Sequence, residues 1–182
     1  MAEIKKVLAI PGSTRQDSSN HWLIHAISGL FDDEIEIRLY DGLAALPAFN
    51  PDHNNELVAQ PVAAFRQAIQ EADGVLICTP EYAHGVPGSL KNAIDWTVST
   101  NEFSHKPVAL ITASTDGRFG HQALLETLRV LEAEEIDQLQ LLIPFVRTKV
   151  GTGGAINDEG TLTAVKSLMN DFIAAMVRKA AE

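Results

Sequence analysis

The chain has 182 residues, with 14 lysine and arginine residues against 24 aspartate and glutamate residues, so its formal net charge at pH 7 is −10. Hydrophobic residues make up 46% of the chain, which is enough for the core of one globular domain, and we expect residues 1–182 to form a single domain. The acidic balance argues against a nucleic acid or an anionic membrane as a partner, because both bind basic surfaces.

Five short segments have the pattern of β-strands. In chain order they cover residues 7–10, 35–39, 75–78, 108–111 and 139–143. The first, third and fourth are continuous apolar runs, which are typical of strands covered on both faces, whereas the second and fifth alternate between apolar and polar residues. Alternation is typical of a half-exposed strand, so we expect the second and fifth strands at the edges of a sheet.

A helical period of apolar residues follows each predicted strand. We expect the regular part of the second helix to start at Pro61, because proline is favoured in the first turn. A strand followed by a helix, five times over, predicts a parallel sheet with helices on both faces. The apolar positions of the five helices are Leu23, Ile27 and Leu30; Val58, Val62, Phe65 and Ile69; Leu90, Ile94 and Thr97; Leu124, Leu128 and Leu131; and Val165, Met169, Phe172 and Met176.

The two edge strands select a topology. The doubly wound order 2-1-3-4-5 places the second and fifth strands at the edges and the other three inside. In that order ligands bind beyond the carboxyl ends of the strands, near the switch between the first and third strands. We therefore expect the functional residues in the loops that follow Ile10, Cys78 and Ala113.

The first loop, residues 11–20, joins a buried strand to the N-terminus of a helix. Unpaired backbone N–H groups and the positive end of the helix dipole favour an anion there. Side-chain donors add to this preference, and together they predict a phosphate monoester as the ligand. Local helix capping explains one or two of the donors and remains the alternative. The donors are Ser13, Thr14, Arg15, Ser18, Ser19 and Asn20.

Neither of two common nucleotide-binding motifs fits this first loop. No Gly-Lys-Ser/Thr follows at the Walker A spacing, and the Gly-x-Gly-x-x-Gly pattern of a classical dinucleotide fold is missing.

The second loop follows the third predicted strand and is rich in proline and glycine. Pro80, Gly85, Pro87 and Gly88 predict an open shape that keeps side chains away from its surface. Such a loop offers backbone N–H and C=O groups to a flat heterocycle. An ordinary strand-to-helix turn is the alternative interpretation.

Two segments of the chain resemble the NADPH-dependent FMN reductase family, which includes flavin, quinone, azo-dye and chromate reductases. The resemblance extends from the first strand to the last helix and implies a flavodoxin-like three-layer α/β sandwich. The less specific segment is Gly12-Ser13-x-Arg15-x-x-Ser18-x-Asn20. The more specific segment is Pro80-Glu81-Tyr82 followed by Val86-Pro87-Gly88-Ser89-Leu90-Lys91-Asn92-Ala93-Ile94-Asp95-Trp96.

The resemblance also implies a role for individual residues of this chain. Many relatives have asparagine at position 83 and serine at position 85, where this chain has Ala83 and Gly85, so the backbone must serve in place of that asparagine side chain. The residues implied to hold the FMN phosphate are Ser13, Arg15, Ser18 and Asn20, with Ser19 nearby; those along the isoalloxazine ring are Pro80, Glu81, Tyr82 and Ala83; and those bordering the far side of the flavin include Ser114 and Gly117.

The function implied by the resemblance is hydride transfer from NADPH, or NADH, through FMN to a small acceptor by a ping-pong mechanism. The acceptors of the family are quinones, free flavins, azo compounds or chromate. No side chain need act as an acid or base in the hydride step, so no catalytic side chain and no metal is predicted. The alternative is a flavodoxin-like electron carrier that binds FMN but does not itself turn over NAD(P)H.

Other expectations concern the assembly and the location of the protein. The resemblance implies a homodimer or homotetramer. With a single cysteine, Cys78, and a first apolar run too short to cross a membrane, we expect a cytoplasmic protein with no membrane partner. His21 and His25 have metal-ligand spacing without a third ligand, so we interpret both as surface histidines. Arg118 is open to three interpretations: a contact to the NADPH 2′-phosphate, a contact to the flavin edge, or a solvent-facing charge.

Overall fold

The computed structural model describes residues 4–15, 17–54 and 58–181, in which strands and helices alternate along the chain. The strands are β1 (Lys5–Pro11), β2 (Ile35–Leu39), β3 (Gly74–Thr79), β4 (Val108–Ala113), β5 (Gln140–Ile143), β6 (Val150–Gly151) and β7 (Ala155–Ile156). The helices are α1 (Ser19–Leu30), α2 (Gln60–Glu71), α3 (Gly88–Asp95), α4 (Arg118–Val130), α5 (Val146–Lys149) and α6 (Glu159–Lys179). Two short 3₁₀ helices, Gly42–Ala45 and Pro51–His53, lie between β2 and α2.

The first five strands form one parallel sheet in the order β2-β1-β3-β4-β5. This confirms the order predicted from the two alternating segments. Every residue of β3 and β4 is buried, whereas β2 and β5 each keep partly exposed residues. The difference arises because helices cover the inner strands on both faces, while an edge strand has a neighbour on one side only.

Two hydrophobic cores, one on each face of the sheet, make the structure a three-layer α/β sandwich. Helices α2, α3 and α4 cover one face, and α1 and α6 cover the other, as the flavodoxin-like expectation requires. Side chains of β1 alternate between the two cores, with Leu8 and Ile10 in the first and Val7 and Ala9 in the second. Across the described ranges, no helix combines the length and apolar character needed to cross a membrane.

Gly12 allows the chain to leave β1 directly beside the end of β3. Its N–H donates to the carbonyl oxygen of Cys78 over 2.8 Å. A Cβ placed on Gly12 would lie 2.1 Å from Thr79 Oγ1 and 3.0 Å from Thr79 Cα. The second of these contacts is to backbone, which cannot swing aside as a side chain does. Glycine at this position is therefore a requirement of close backbone packing.

We expect Gly12→Ala to lower the free energy of unfolding by about 1–3 kcal/mol, the usual cost of overpacking. Gly29 provides a matched control, because a Cβ placed on it has no neighbour within 4 Å. Since Gly29 lies in α1, Gly29→Ala should instead raise stability by about 0.5–1 kcal/mol. Urea denaturation of the two variants measures both changes, and equal effects would contradict the packing argument.

Candidate active site

The carboxyl ends of β1, β3 and β4 meet at one edge of the sheet. Pro11 is in register with Cys78, and Thr79 with Thr112, so the three strands end within a residue of one another. The loops that follow them therefore leave the sheet side by side. This is the edge at which the strand order reverses between β1 and β3, where doubly wound proteins bind their ligands.

A cavity of about 730 Å³ lies at this edge and is lined by all three loops. Its volume falls within the usual range of small-molecule sites. Every site residue proposed from the sequence lines it except Thr14, Ala83 and Gly117. The lining residues that had been proposed are Ser13, Arg15, Ser18, Ser19, Asn20, Pro80, Glu81, Tyr82 and Ser114; the others are Asp17, Trp22, Ala113, Thr115, Phe145, Val146, Arg147 and Thr148.

The first loop presents hydroxyl groups to the cavity above the start of α1. Ser18 is the N-cap of α1, and its Oγ accepts a hydrogen bond from the His21 backbone N–H over 3.4 Å. The capping interpretation is therefore correct for this residue. Ser13 is buried, and its Oγ accepts the Arg15 N–H over 3.2 Å and lies 3.4 Å from the Tyr82 hydroxyl oxygen. Both serines are held by the loop and both line the cavity.

The Asn20 side chain links α1 to the end of β4 by a hydrogen bond. Its Nδ2 donates to the Ala113 carbonyl oxygen over 3.2 Å, and the side chain is buried. Its Oδ1 is also buried and has no hydrogen-bond partner within the described part of the chain. A buried acceptor without a partner is costly, so this oxygen is suited to a donor supplied by a ligand.

Two guanidinium groups face the cavity from opposite loops. Arg15 belongs to the first loop and Arg147 to α5, and neither forms an ion pair with another described residue. Arg15 Nη2 donates to the Asp17 carbonyl oxygen over 3.0 Å. In a chain of net charge −10, these two residues bring positive charge to a cavity whose lining also includes the acidic residues Asp17 and Glu81.

Arg147 and Phe145 were not identified from the sequence. Both follow the fifth predicted strand, whose carboxyl end opens on the same edge of the sheet, so the topology itself was the available signal. Phe145 has a left-handed backbone with φ 55°, and its side chain is 64% exposed. Its N–H donates to the Thr115 carbonyl oxygen over 3.1 Å, which ties the loop after β5 to the loop after β4. Nothing in the local sequence predicts a left-handed phenylalanine.

The second loop contains a hairpin with a two-residue turn, and the conformation of this turn explains which residue types suit position 83. Tyr82 and Gly85 exchange backbone hydrogen bonds of 3.1 and 2.9 Å. Between them, Ala83 and His84 have positive φ values of 49° and 58°, the pattern of a type I′ turn. Asparagine tolerates this conformation better than alanine does. Asparagine at this position in relatives therefore has a conformational explanation that requires no contact with a ligand.

The side chain of Glu81 forms a hydrogen bond to another part of the protein. Its carboxylate Oε2 accepts the Gly120 N–H over 2.6 Å, and its own N–H donates to Ser114 Oγ over 3.2 Å. Gly120 lies in the first turn of α4, where backbone N–H groups have no helical partner. Glu81 thus caps α4 from a different loop. The second loop therefore offers a flat ligand its backbone and the side chains of Pro80 and Tyr82, which line the cavity.

The third loop, which joins β4 to α4, turns through Gly117, and Gly117 lies outside the cavity. Gly117 has φ 95° and is the N-cap of α4, so its role is to provide a backbone conformation that other residues rarely adopt. Arg118 donates to both carboxylate oxygens of Asp116, over 2.8 and 3.0 Å, and its side chain is highly exposed. This hydrogen bond lowers the pKa of Asp116. Arg118 does not line the cavity, which favours its interpretation as a solvent-facing charge.

The structure corrects one interpretation of the histidines. His25 is exposed, as expected, but His21 is 6% exposed and its Nδ1 lies 2.9 Å from Ser18 Oγ. The interpretation of His21 as a surface residue was wrong, since its side chain is buried by the fold, with Asp41 Oδ1 of the loop after β2 lying 4.0 Å from Nε2. Burial lowers the pKa of His21, while Asp41 acts to raise it. Among the described residues, no group of three or more histidine, cysteine, aspartate or glutamate side chains is placed to hold a metal ion.

Comparison with known proteins places this arrangement among flavoenzymes. A sequence profile of the family described as NADPH-dependent FMN reductase matches residues 5–148. The chain is 32% identical over 176 residues to a 2-hydroxy-1,4-benzoquinone reductase of a Burkholderia species, covering 93% of this chain and 94% of the relative. It is 34% identical over 165 residues to an NAD(P)H-dependent FMN reductase of Pseudomonas aeruginosa, covering 87% and 88% of the two chains.

A solved structure gives the same result at the level of the fold. FerB, a flavoenzyme NAD(P)H:(acceptor) oxidoreductase from Paracoccus denitrificans, superposes with a TM-score of 0.85 at 26% sequence identity. The superposition covers 97% of this chain and 99% of FerB.

We expect Glu81→Ala to lower the free energy of unfolding by about 0.5–2 kcal/mol, the usual cost of losing a helix cap. Glu81→Gln should cost less, because its amide oxygen can still accept the Gly120 N–H. Glu126 is an exposed residue of the same helix, and Glu126→Ala should change stability by no more than about 0.5 kcal/mol. Chemical denaturation measures all three, and equal losses for the two alanine variants would show that Glu81 is not a cap.

Proposed function

Because the chain belongs to the NADPH-dependent FMN reductase family and is an FMN-dependent NAD(P)H oxidoreductase, we propose that the cavity at the ends of β1, β3 and β4 binds FMN and that a quinone is the acceptor. The observation that carries the assignment is one cavity in which hydroxyl groups, a buried amide oxygen and two guanidinium groups come together, the amide oxygen without a hydrogen bond and the guanidinium groups without an ion pair to any other described residue.

The donor set of the first loop fits a phosphate monoester. Ser13, Ser18 and Ser19 supply hydroxyl groups, α1 supplies the backbone N–H groups of its first turn, and Arg15 supplies a cation. The unpartnered Oδ1 of Asn20 accepts a hydrogen bond, which a hydroxyl of the ribityl chain can donate. FMN carries both groups on one molecule, so the residues present fit the cofactor of the family.

The second loop fits the flat ring of the same cofactor. Glu81 is fastened to α4 and Ala83 lies in an exposed turn, so the loop presents backbone to the cavity between Pro80 and Tyr82. Tyr82 is half exposed at the mouth of the cavity. We propose that these residues position the ring without covering its outer face, which leaves space for a second planar molecule.

When bound, FMN supplies the redox chemistry by accepting hydride from a reduced nicotinamide and passing it to an acceptor. The residues of this chain bind and orient the reactants, and none is assigned as an acid or base. NADPH and the quinone use the same open side of the cavity, so the oxidised nucleotide must leave before the quinone binds. Sharing of one cleft therefore implies ping-pong kinetics.

Two further properties complete the proposal. We propose a homodimer or homotetramer, supported by the resemblance and by exposed aromatic surface at Phe119, where His84 stacks at 4.5 Å between ring centres. We also propose a cytoplasmic location, supported by the single buried thiol at Cys78. Light scattering of the purified protein and fractionation of cells measure these properties.

We expect Arg15→Ala to weaken FMN binding by about 1.5–3 kcal/mol, the contribution of a hydrogen bond to a charged group, or roughly 10- to 150-fold in dissociation constant. Riboflavin lacks the phosphate, so its affinity should be the same in wild type and variant. Arg38→Ala, on the edge strand β2, is the matched control and should leave both affinities unchanged. Quenching of flavin fluorescence measures the constants. An unchanged FMN constant for Arg15→Ala would exclude the phosphate site proposed here.

We expect the FMN-loaded protein to consume NADPH steadily when a 1,4-benzoquinone is present. Initial rates measured across both substrate concentrations should give parallel double-reciprocal lines, as a shared cleft requires. Intersecting lines would contradict the ping-pong order, and an absence of steady NADPH consumption would favour the electron-carrier alternative.

A further inference from the structure

We propose that His21 is a positioning residue which, together with Asp41, sets the direction of the Ser18 hydroxyl hydrogen and so couples binding of the FMN phosphate to uptake of a proton. The inference rests on the proposed function, because it requires the phosphate to bind beside Ser18. Neither His21 nor Asp41 lines the cavity, so both act through Ser18.

Three groups are arranged in sequence from solvent to the cavity. Asp41 is largely exposed, and its Oδ1 lies 4.0 Å from His21 Nε2. His21 is buried, and its Nδ1 lies 2.9 Å from Ser18 Oγ. Ser18 is also buried and lines the cavity. The three side chains come from the loop after β2 and from the start of α1.

The Ser18 hydroxyl has one hydrogen and two competing acceptors. When His21 Nδ1 carries no proton, Ser18 donates its hydrogen to the imidazole. Only oxygen lone pairs then face the cavity, and these repel phosphate oxygens. When Nδ1 carries a proton, the imidazole donates to Ser18 Oγ, and the hydroxyl is free to donate to the phosphate. The protonation of His21 therefore decides whether Ser18 repels or binds the anion.

Asp41 determines which protonation state of the His21 imidazole leaves the Ser18 hydroxyl free to bind the phosphate. The neutral tautomer with its proton on Nδ1 would turn the Nε2 lone pair toward the Asp41 carboxylate, which is unfavourable. The imidazolium places an N–H toward both Ser18 and Asp41. The doubly protonated ring is thus favoured at Nδ1 by a phosphate bound to Ser18 and at Nε2 by the Asp41 carboxylate.

The charges around His21 give the sign of the pH dependence. Burial and His25, one turn along α1, lower the pKa of His21, and Asp41 raises it, with a net lowering. Without the cofactor, His21 is therefore mainly neutral at pH 7. A bound phosphate adds negative charge on the opposite side of the ring and raises this pKa. Binding must then take up a proton, and affinity must increase as the pH falls below the pKa of the bound state, until the pH reaches the lower pKa of the free state.

The decisive variant is His21→Asn, whose amide can donate to Ser18 at every pH. We expect the FMN dissociation constant of the wild type to decrease at least threefold between pH 7.5 and 6.5, and that of His21→Asn to change much less. Linkage to one proton sets an upper limit of tenfold per pH unit. The phosphate has its own pKa near 6, but this affects wild type and variant equally.

Two other variants separate positioning from simple packing. His25→Asn alters an exposed histidine on the same helix and should keep the wild-type pH dependence. Asp41 is exposed and lies outside the cavity, so Asp41→Asn should leave the fold intact. We nevertheless expect this variant to bind FMN more weakly and to show a weaker pH dependence of FMN affinity. Fluorescence quenching gives the constants, and calorimetry at pH 7 in buffers of different ionisation enthalpy gives the number of protons taken up.

The outcomes distinguish this inference from the proposed function. Proton uptake in the wild type and its loss in His21→Asn would support the coupling. If FMN binds more tightly than riboflavin but wild type and His21→Asn show the same pH dependence, the coupling is wrong while the phosphate site stands. If the wild type binds FMN and riboflavin equally, the phosphate site itself is wrong.

Discussion

Parallel pairing of β1 with β3 is the constraint on which the cavity depends. Residues that are far apart in the chain reach one edge of the sheet because the strands run in the same direction and end in register. The pairing is closest at Gly12, whose N–H bonds to the end of β3 and where no side chain fits. Loss of this contact would separate the donors of the first loop from the backbone of the second.

The side chains of the second loop mainly hold the protein together. Glu81 caps α4, its N–H bonds to Ser114, and Gly120 approaches so closely that a Cβ there would lie 3.0 Å from the Gly85 carbonyl oxygen. These contacts hold the loop against α4, and its backbone and the Tyr82 side chain remain for a ligand. A redox cofactor suits such a surface, because the flavin supplies the chemistry and the protein has only to orient it.

Charge in this protein is organised locally. The chain is acidic overall, yet Arg15 and Arg147 bring positive charge to one cavity, and Asp41 stands behind His21 rather than inside the cavity. An acidic side chain behind the imidazole favours the imidazolium form of His21 without lying next to the bound anion.

Periodicity and composition alone determined the fold class, the strand order and the edge at which the site lies, because burial on one or both faces is encoded in local patterns. The position of the first loop and its donor side chains predicted five of the cavity residues, and resemblance to a known family added Pro80, Glu81, Tyr82 and Ser114. Tertiary structure decided the rest. Arg147 and Phe145 join the cavity from a strand distant in the chain, and Gly117 and Ala83 prove to be turn residues outside it. Burial of His21 depends on how the rest of the chain packs around α1, and no pattern within a helix reveals which residues cover it from elsewhere.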